Sequence, residues 1–172
     1  MYQGQTARAR GTVGSMEVVE VSRGPVHRYA GLGNVLFTLY WGSPEASVLD
    51  DRVAWWEQMA RTHGGGGLFV VVAADASGHL PDADFRAKSR AQAQRFSESL
   101  LFSGCLIEGD GLSQSLLRTF LRGLSVAVPQ RVETAFFAQV PEATEWVAER
   151  ARPYGGPEPE ALARALESLR DR

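Results

Sequence analysis

Four glycines, Gly64 to Gly67, release the chain into seven consecutive apolar residues, Leu68 to Ala74. The run is far shorter than the roughly 20 residues of a membrane-spanning helix. Set between glycines and the polar stretch 75–81, it reads as a strand buried on both faces. Such a strand belongs inside a largely parallel sheet, whose neighbours are joined through crossover helices. The run therefore predicts helical segments before and after it.

Both are legible. Upstream, Ser43-Pro44-Glu45 predicts a helix start, with serine as N-cap, proline at the first helical position and an acid in the first turn. That helix is expected to run to about Thr62 and to bury Leu49, Val53, Trp56 and Ala60, leaving Trp55 about 100° away and partly exposed. Downstream, Asp82 and Asp84 open a second helix with Phe85, Ser89, Ala93, Phe96 and Leu100 as its inner stripe. Before these lie three extended segments, Glu17 to Ser22, Val26 to Tyr29 and Val35 to Trp41, which suggest a β-meander.

After them the pattern continues as a strand from Ser103 to Ile107, a helix from about Leu112 to Leu124, a strand from Val132 to Phe137 and a helix from Pro141 to Arg152. Leu116, Leu117, Phe120 and Leu124 form the inner face of the first of these helices, and Ala143, Trp146 and Val147 that of the second. The expected fold is an α/β domain over residues 16–152, a mixed sheet of five to six strands with helices packed on it. Residues 1–15 are polar and aperiodic and are expected to be a disordered leader. Residues 153–172 read as a proline- and glycine-rich linker and an amphipathic helix with Leu162, Leu166 and Leu169 on one side.

Composition narrows the setting. A chain of 172 residues is one domain of ordinary size, and its single cysteine, Cys105, can form neither an internal disulfide nor a thiolate cluster, which favours a reducing, cytoplasmic compartment. The formal net charge of −2 removes the basic excess that marks many nucleic-acid binders. No segment is apolar enough to predict a membrane span.

Cofactor and metal motifs are absent from the sequence. Gly64 to Gly67 follow a helix and precede a strand, the reverse of a phosphate loop, and Gly31-Leu32-Gly33 leads into a strand rather than the helix of a dinucleotide fingerprint. His27, His63 and His79 lack metal-ligand spacing and read as turn or surface residues. No cofactor is expected.

Candidate function concentrates in Asp75-Ala76-Ser77-Gly78-His79. A carboxylate, a hydroxyl and an imidazole here leave the carboxyl end of the central strand, where open α/β sheets keep their sites. The same residues also build ordinary Asx-turns. One alternative makes Asp75 and His79 the acid and base of a small enzyme or ligand-binding domain; another makes Ser77 a phosphate acceptor, with Arg86 one helical turn away. The basic set Arg86, Lys88, Arg90 and Arg95, joined by Arg118 and Arg122, is either an anion-binding patch or a solvated helix face. Trp55, Leu162, Leu166 and Leu169 are candidates for a partner interface, with a second copy of the chain as one partner, unless the leucines fold back over the sheet.

Two stretches carry a family resemblance. Asp75-Ala76-Ser77-Gly78 is similar to the Asp-Ser-Ser-Gly loop of anti-sigma-factor antagonists, and Phe136 to Val147 resembles their closing strand and helix. With the order of elements, residues 17–152 resemble the STAS family in its SpoIIAA-like branch. That resemblance implies a non-enzymatic bacterial regulator that binds a kinase or another switch protein, with Ser77 as the phosphorylated hydroxyl.

Overall fold

The computed structural model describes residues 16–74, 81–109 and 131–171. Six strands form one mixed sheet in which spatial order equals chain order: β1 (Val19–Arg23), β2 (His27–Leu32), β3 (Val35–Tyr40), β4 (Gly66–Val72), β5 (Leu100–Ile107) and β6 (Glu133–Phe137). The first two pairings are antiparallel, and β3 through β6 run parallel. The architecture is α/β with a six-stranded mixed sheet, as expected.

Helix α1 (Val53–His63) links β3 to β4, and α2 (Ala83–Arg95) links β4 to β5. Parallel crossovers are right-handed, so two successive links that advance in the same direction cover the same face. The even-numbered residues Leu36 and Leu68 pack there with Trp56, Met59 and Phe96. The odd-numbered set Val35, Phe37, Leu39, Phe69 and Val71 faces the other way. That second face is covered by α3 (Val140–Ala151) and α4 (Pro159–Arg170), through Ala143, Val147 and Ala148 and through Leu162, Ala165, Leu166 and Leu169. The central strand is buried on both sides because two helix pairs sandwich it.

Several local expectations need correction. Ser43 does not cap a helix: a 3-10 segment, Ala46–Arg52, comes first, flanked by Glu45 without a side-chain capping bond. Three residues per turn there shift the phase of the buried stripe. It runs through Leu49, Arg52, Trp56 and Met59, while Val53 and Ala60 are only half-buried. In α2 the inner positions are Phe85 and Gln92, and Leu100 opens β5 rather than closing the helix, so that strand begins three residues before Ser103. The predicted helix at 112–124 lies outside the described residues.

The 153–159 stretch is a built connection: a short 3-10 turn, Arg152–Tyr154, then Gly155 at φ 72°. Two polar anchors fix the helices it joins. Asn34, fully buried between β2 and β3, donates from Nδ2 to the carbonyls of Gly65 and Ala151, both at 3.2 Å. Arg28 on β2 reaches the last carbonyls of α4, with Nη1 at 3.2 Å from Ser168 O, 3.3 Å from Leu169 O and 3.1 Å from Asp171 O. A cation at a helix carboxyl end satisfies orphan carbonyls and complements the helix dipole.

Candidate functional site

Strands β3 and β4 end at Tyr40 and Val72, and antiparallel β2 begins at the same edge, with His27 opposite Tyr40. On the side covered by α1 and α2, this carboxyl end is polar inside. His27, Arg52 and Gln92 are buried there beside Tyr29 and Tyr40.

The phenols are joined directly. Tyr29 Oη and Tyr40 Oη lie 2.9 Å apart with edge-on rings, and Leu49 and Phe85 complete the surrounding cluster. Burial pushes both phenols up, and the nearby Arg52 charge opposes that rise in each. The guanidinium is held from behind. Arg52 Nε donates to Gln92 Oε1 at 2.7 Å, and Gln92 Nε2 donates to Leu49 O at 2.7 Å. Gln92 is thereby fixed at both ends, and it fixes Arg52.

Beside this cluster, Ser22, His27 and Asp51 form a relay that sequence spacing does not reveal. Ser22 Oγ donates to Asp51 Oδ2 at 2.5 Å, because a carboxylate only accepts. The single hydroxyl proton is then committed, so the 3.1 Å contact between Ser22 Oγ and His27 Nε2 has the imidazole as donor. A serine hydrolase needs the opposite polarity, with histidine taking the serine proton. The relay instead ties the bulged β1 strand to the 3-10 segment.

His27 is 4% exposed, so the turn-or-surface reading of this residue does not hold. Its Nδ1 is buried with no hydrogen-bond partner in the structure. Burial holds its pKa below the ordinary 6.5, against the opposing pull of Asp51. The unfolded chain therefore binds more protons than the folded one in the window below about pH 6.5, and folding stability falls as pH drops through it. Urea unfolding at pH 7.5, 6.5 and 5.5 should show that decline, and His27→Gln, which keeps a donor toward Ser22, should flatten it. An unchanged slope in the variant would assign the acid sensitivity to other groups.

Asp75, Ser77, Gly78 and His79 lie outside the described residues. Their flanks are placed. The chain leaves β4 at Val72 in the sheet interior and returns at Pro81 and Asp82, where Asp82 Oδ1 accepts from Phe85 N at 2.7 Å and caps α2. Arg86 Nη1 donates to Pro81 O at 2.7 Å, which keeps this cation beside the exit of the segment. Two other members of the basic set are paired with acids, Lys88 with Asp50 at 2.6 Å and Arg95 with Glu57 at 2.7 Å. Arg90 is exposed, and Arg118 and Arg122 lie outside the described residues.

The three leucines fold back over the sheet, the alternative to a partner interface given above. Leu162, Leu166 and Leu169 are 0%, 0% and 1% exposed, so the apolar side of the last helix belongs to the core and offers nothing to a partner. Trp55 is half-buried over Gly31, where an added Cβ would lie 2.0 Å from Nε1, and its ring meets Trp56 edge-on at 5.2 Å.

A cavity of about 380 Å³ opens near the amino ends of β5 and β6, lined by Phe102, Glu133, Glu149, Arg150 and Tyr154 among others. Its cation is already engaged: Arg150 bonds Glu133 at 2.5 Å and lies 3.9 Å from the centre of the Trp146 ring. Cys105 is buried, with its thiol pushed up to about 11 by desolvation, which suppresses thiolate chemistry. Among the described residues no three His, Cys, Asp or Glu side chains form a metal-binding group, and no helix is long and apolar enough to cross a membrane.

Sequence reasoning passed over Arg52, Gln92, Tyr29, Tyr40 and the His27 relay. One signal was available for Arg52: a cation at position 52 interrupts the apolar series 49, 56 and 59. No family model, curated protein or solved structure matches the chain.

Proposed function

We propose that the chain is a non-enzymatic regulatory module of a bacterial signalling system, STAS-like in its SpoIIAA-like form, that binds another protein through the carboxyl end of its sheet. Phosphorylation of Ser77 by a partner kinase is its switch. The observation that carries this reading is the placement of the 75–80 segment's two ends: it leaves the interior strand β4 and re-enters the fold at a capped helix start, beside Arg86.

A phosphate adds about 1.5 to 2 negative charges at pH 7 and three strong acceptors. Added negative charge on the segment can recruit Arg86, which lies beside its re-entry into the fold, or repel an acidic partner. The reversed polarity of the Ser22-His27-Asp51 relay supports a binding role over acyl transfer at this edge.

The test is incubation of the full chain with its cognate kinase, phosphate mapping by mass spectrometry, and partner binding by Ser77→Asp. Label on Ser77 and a change in partner affinity of at least about tenfold are expected. Label confined to other residues, or equal binding by Ser77→Asp, removes the phospho-switch.

A further inference from the structure

A buried guanidinium is costly unless its charge and its donors are met, and arginine cannot shed its proton as a buried lysine can. Arg52 is 6% exposed. Of its five N–H groups, only the one on Nε has an acceptor among the described residues, and that acceptor is the neutral amide of Gln92. No carboxylate pairs with it there: Asp50 is bridged to Lys88, and Asp51 receives the Ser22 hydroxyl. Among the described residues both Nη groups are left without a partner, while Nε is held by Gln92.

We propose that Arg52 is the anchor of a binding site for a small organic anion, one whose phosphate or carboxylate group takes the two Nη groups as a bidentate pair. An arginine fork presents parallel donors that match either oxyanion. Gln92 is the positioning residue, because it holds Nε and is itself tied to Leu49 O. Tyr40 and Phe85, the two members of the surrounding cluster that keep some exposure at 9% and 8%, offer a hydroxyl and an apolar edge to the ligand, while Tyr29 and Leu49 pack fully buried behind them. The ligand supplies the counter-charge that the described residues do not. This site is independent of Ser77 phosphorylation and stands or falls separately from it.

The experiment is isothermal titration of the full, unphosphorylated chain with two probes, inorganic phosphate and benzoate, beside sodium chloride at matched ionic strength. Thermal unfolding in the same solutions gives a second readout. Wild-type protein is expected to bind at least one probe with a Kd of about 1 mM or tighter and to unfold at a higher temperature in its presence. The phosphate and benzoate arms decide between a phosphorylated and a carboxylated ligand. Arg52→Lys keeps the charge and loses the fork, so it should fold and bind at least about tenfold more weakly. Gln92→Leu should weaken binding by less.

Arg52→Gln should abolish binding; if that variant does not fold, the lysine variant carries the decision. Chloride that stabilises as well as either probe, or equal binding by wild type and Arg52→Lys, overturns the site.

Discussion

Deletion of residues 155–172 is expected to abolish cooperative unfolding rather than release a monomer from an oligomer. The removed segment holds Leu162, Leu166 and Leu169, all within 1% of complete burial, against Phe37, Phe69 and their neighbours on the odd-numbered face of the sheet. Full burial of a leucine contributes about 1.5 to 3 kcal/mol, and three of them approach the whole stability of an ordinary domain, about 5 to 15 kcal/mol. The bared sheet face adds to that loss. The deleted chain should show no sharp thermal transition and should bind a hydrophobic dye, as collapsed states with exposed cores do. Leu166→Ala alone should cost about 2 to 5 kcal/mol in urea unfolding. A truncated chain that still melts sharply would detach the last helix from the core.

Gly66→Ala should be nearly as damaging, although it adds one methyl group. A Cβ at Gly66 would lie 2.0 Å from the backbone oxygen of Asn34, which already accepts from Gly67 N at 3.1 Å. Backbone pressing on backbone cannot be relieved by a rotamer change, so β3 and β4 must separate where they first pair. Overpacking of this kind typically costs about 1 to 3 kcal/mol and occasionally more, and the direct backbone clash puts this case at about 3 kcal/mol or above. Gly64, two residues earlier, is the internal control. Its φ of 73° strains any side chain, yet an added Cβ there meets nothing within 4 Å. Gly64→Ala should therefore lose only about 1 to 2 kcal/mol, the cost of a left-handed residue. Equal losses at the two positions would mean that conformation, not contact, governs the run.

The contrast shows what the sequence made legible and what it hid. Four glycines after a helix announce a helix end, and Gly64 answers to that, since it is the left-handed residue that closes α1. That the strand begins at Gly66 depends on how near the Asn34 backbone lies, a distance no local pattern encodes. The apolar run 68–74, the alternation of strands and helices and the leucine stripe of α4 were legible because burial imposes periods of two and 3.6. The 3-10 turn ahead of α1 has a different period, and it carried the stripe from Val53 onto Arg52. The candidate site was harder for a related reason. Arg52 and Gln92 are 40 residues apart and meet because the 3-10 segment ahead of α1 and helix α2, from separate crossovers, pack side by side. His27 and Asp51 are likewise joined through Ser22 across the sheet edge.

The one-sided placement of the two crossover helices also sets a timetable for biosynthesis. A growing chain can lay down the strands and cover one face of the sheet with α1 and α2 while Phe37, Phe69 and Val71 still lack their cover on the other. Among the described residues the helical cover of that face comes only from 140–170, and an uncovered apolar sheet is an aggregation hazard for as long as it persists. A nascent chain stalled before residue 140 should therefore be a strong client for chaperones that hold exposed hydrophobic surface, and one extended past residue 170 should not.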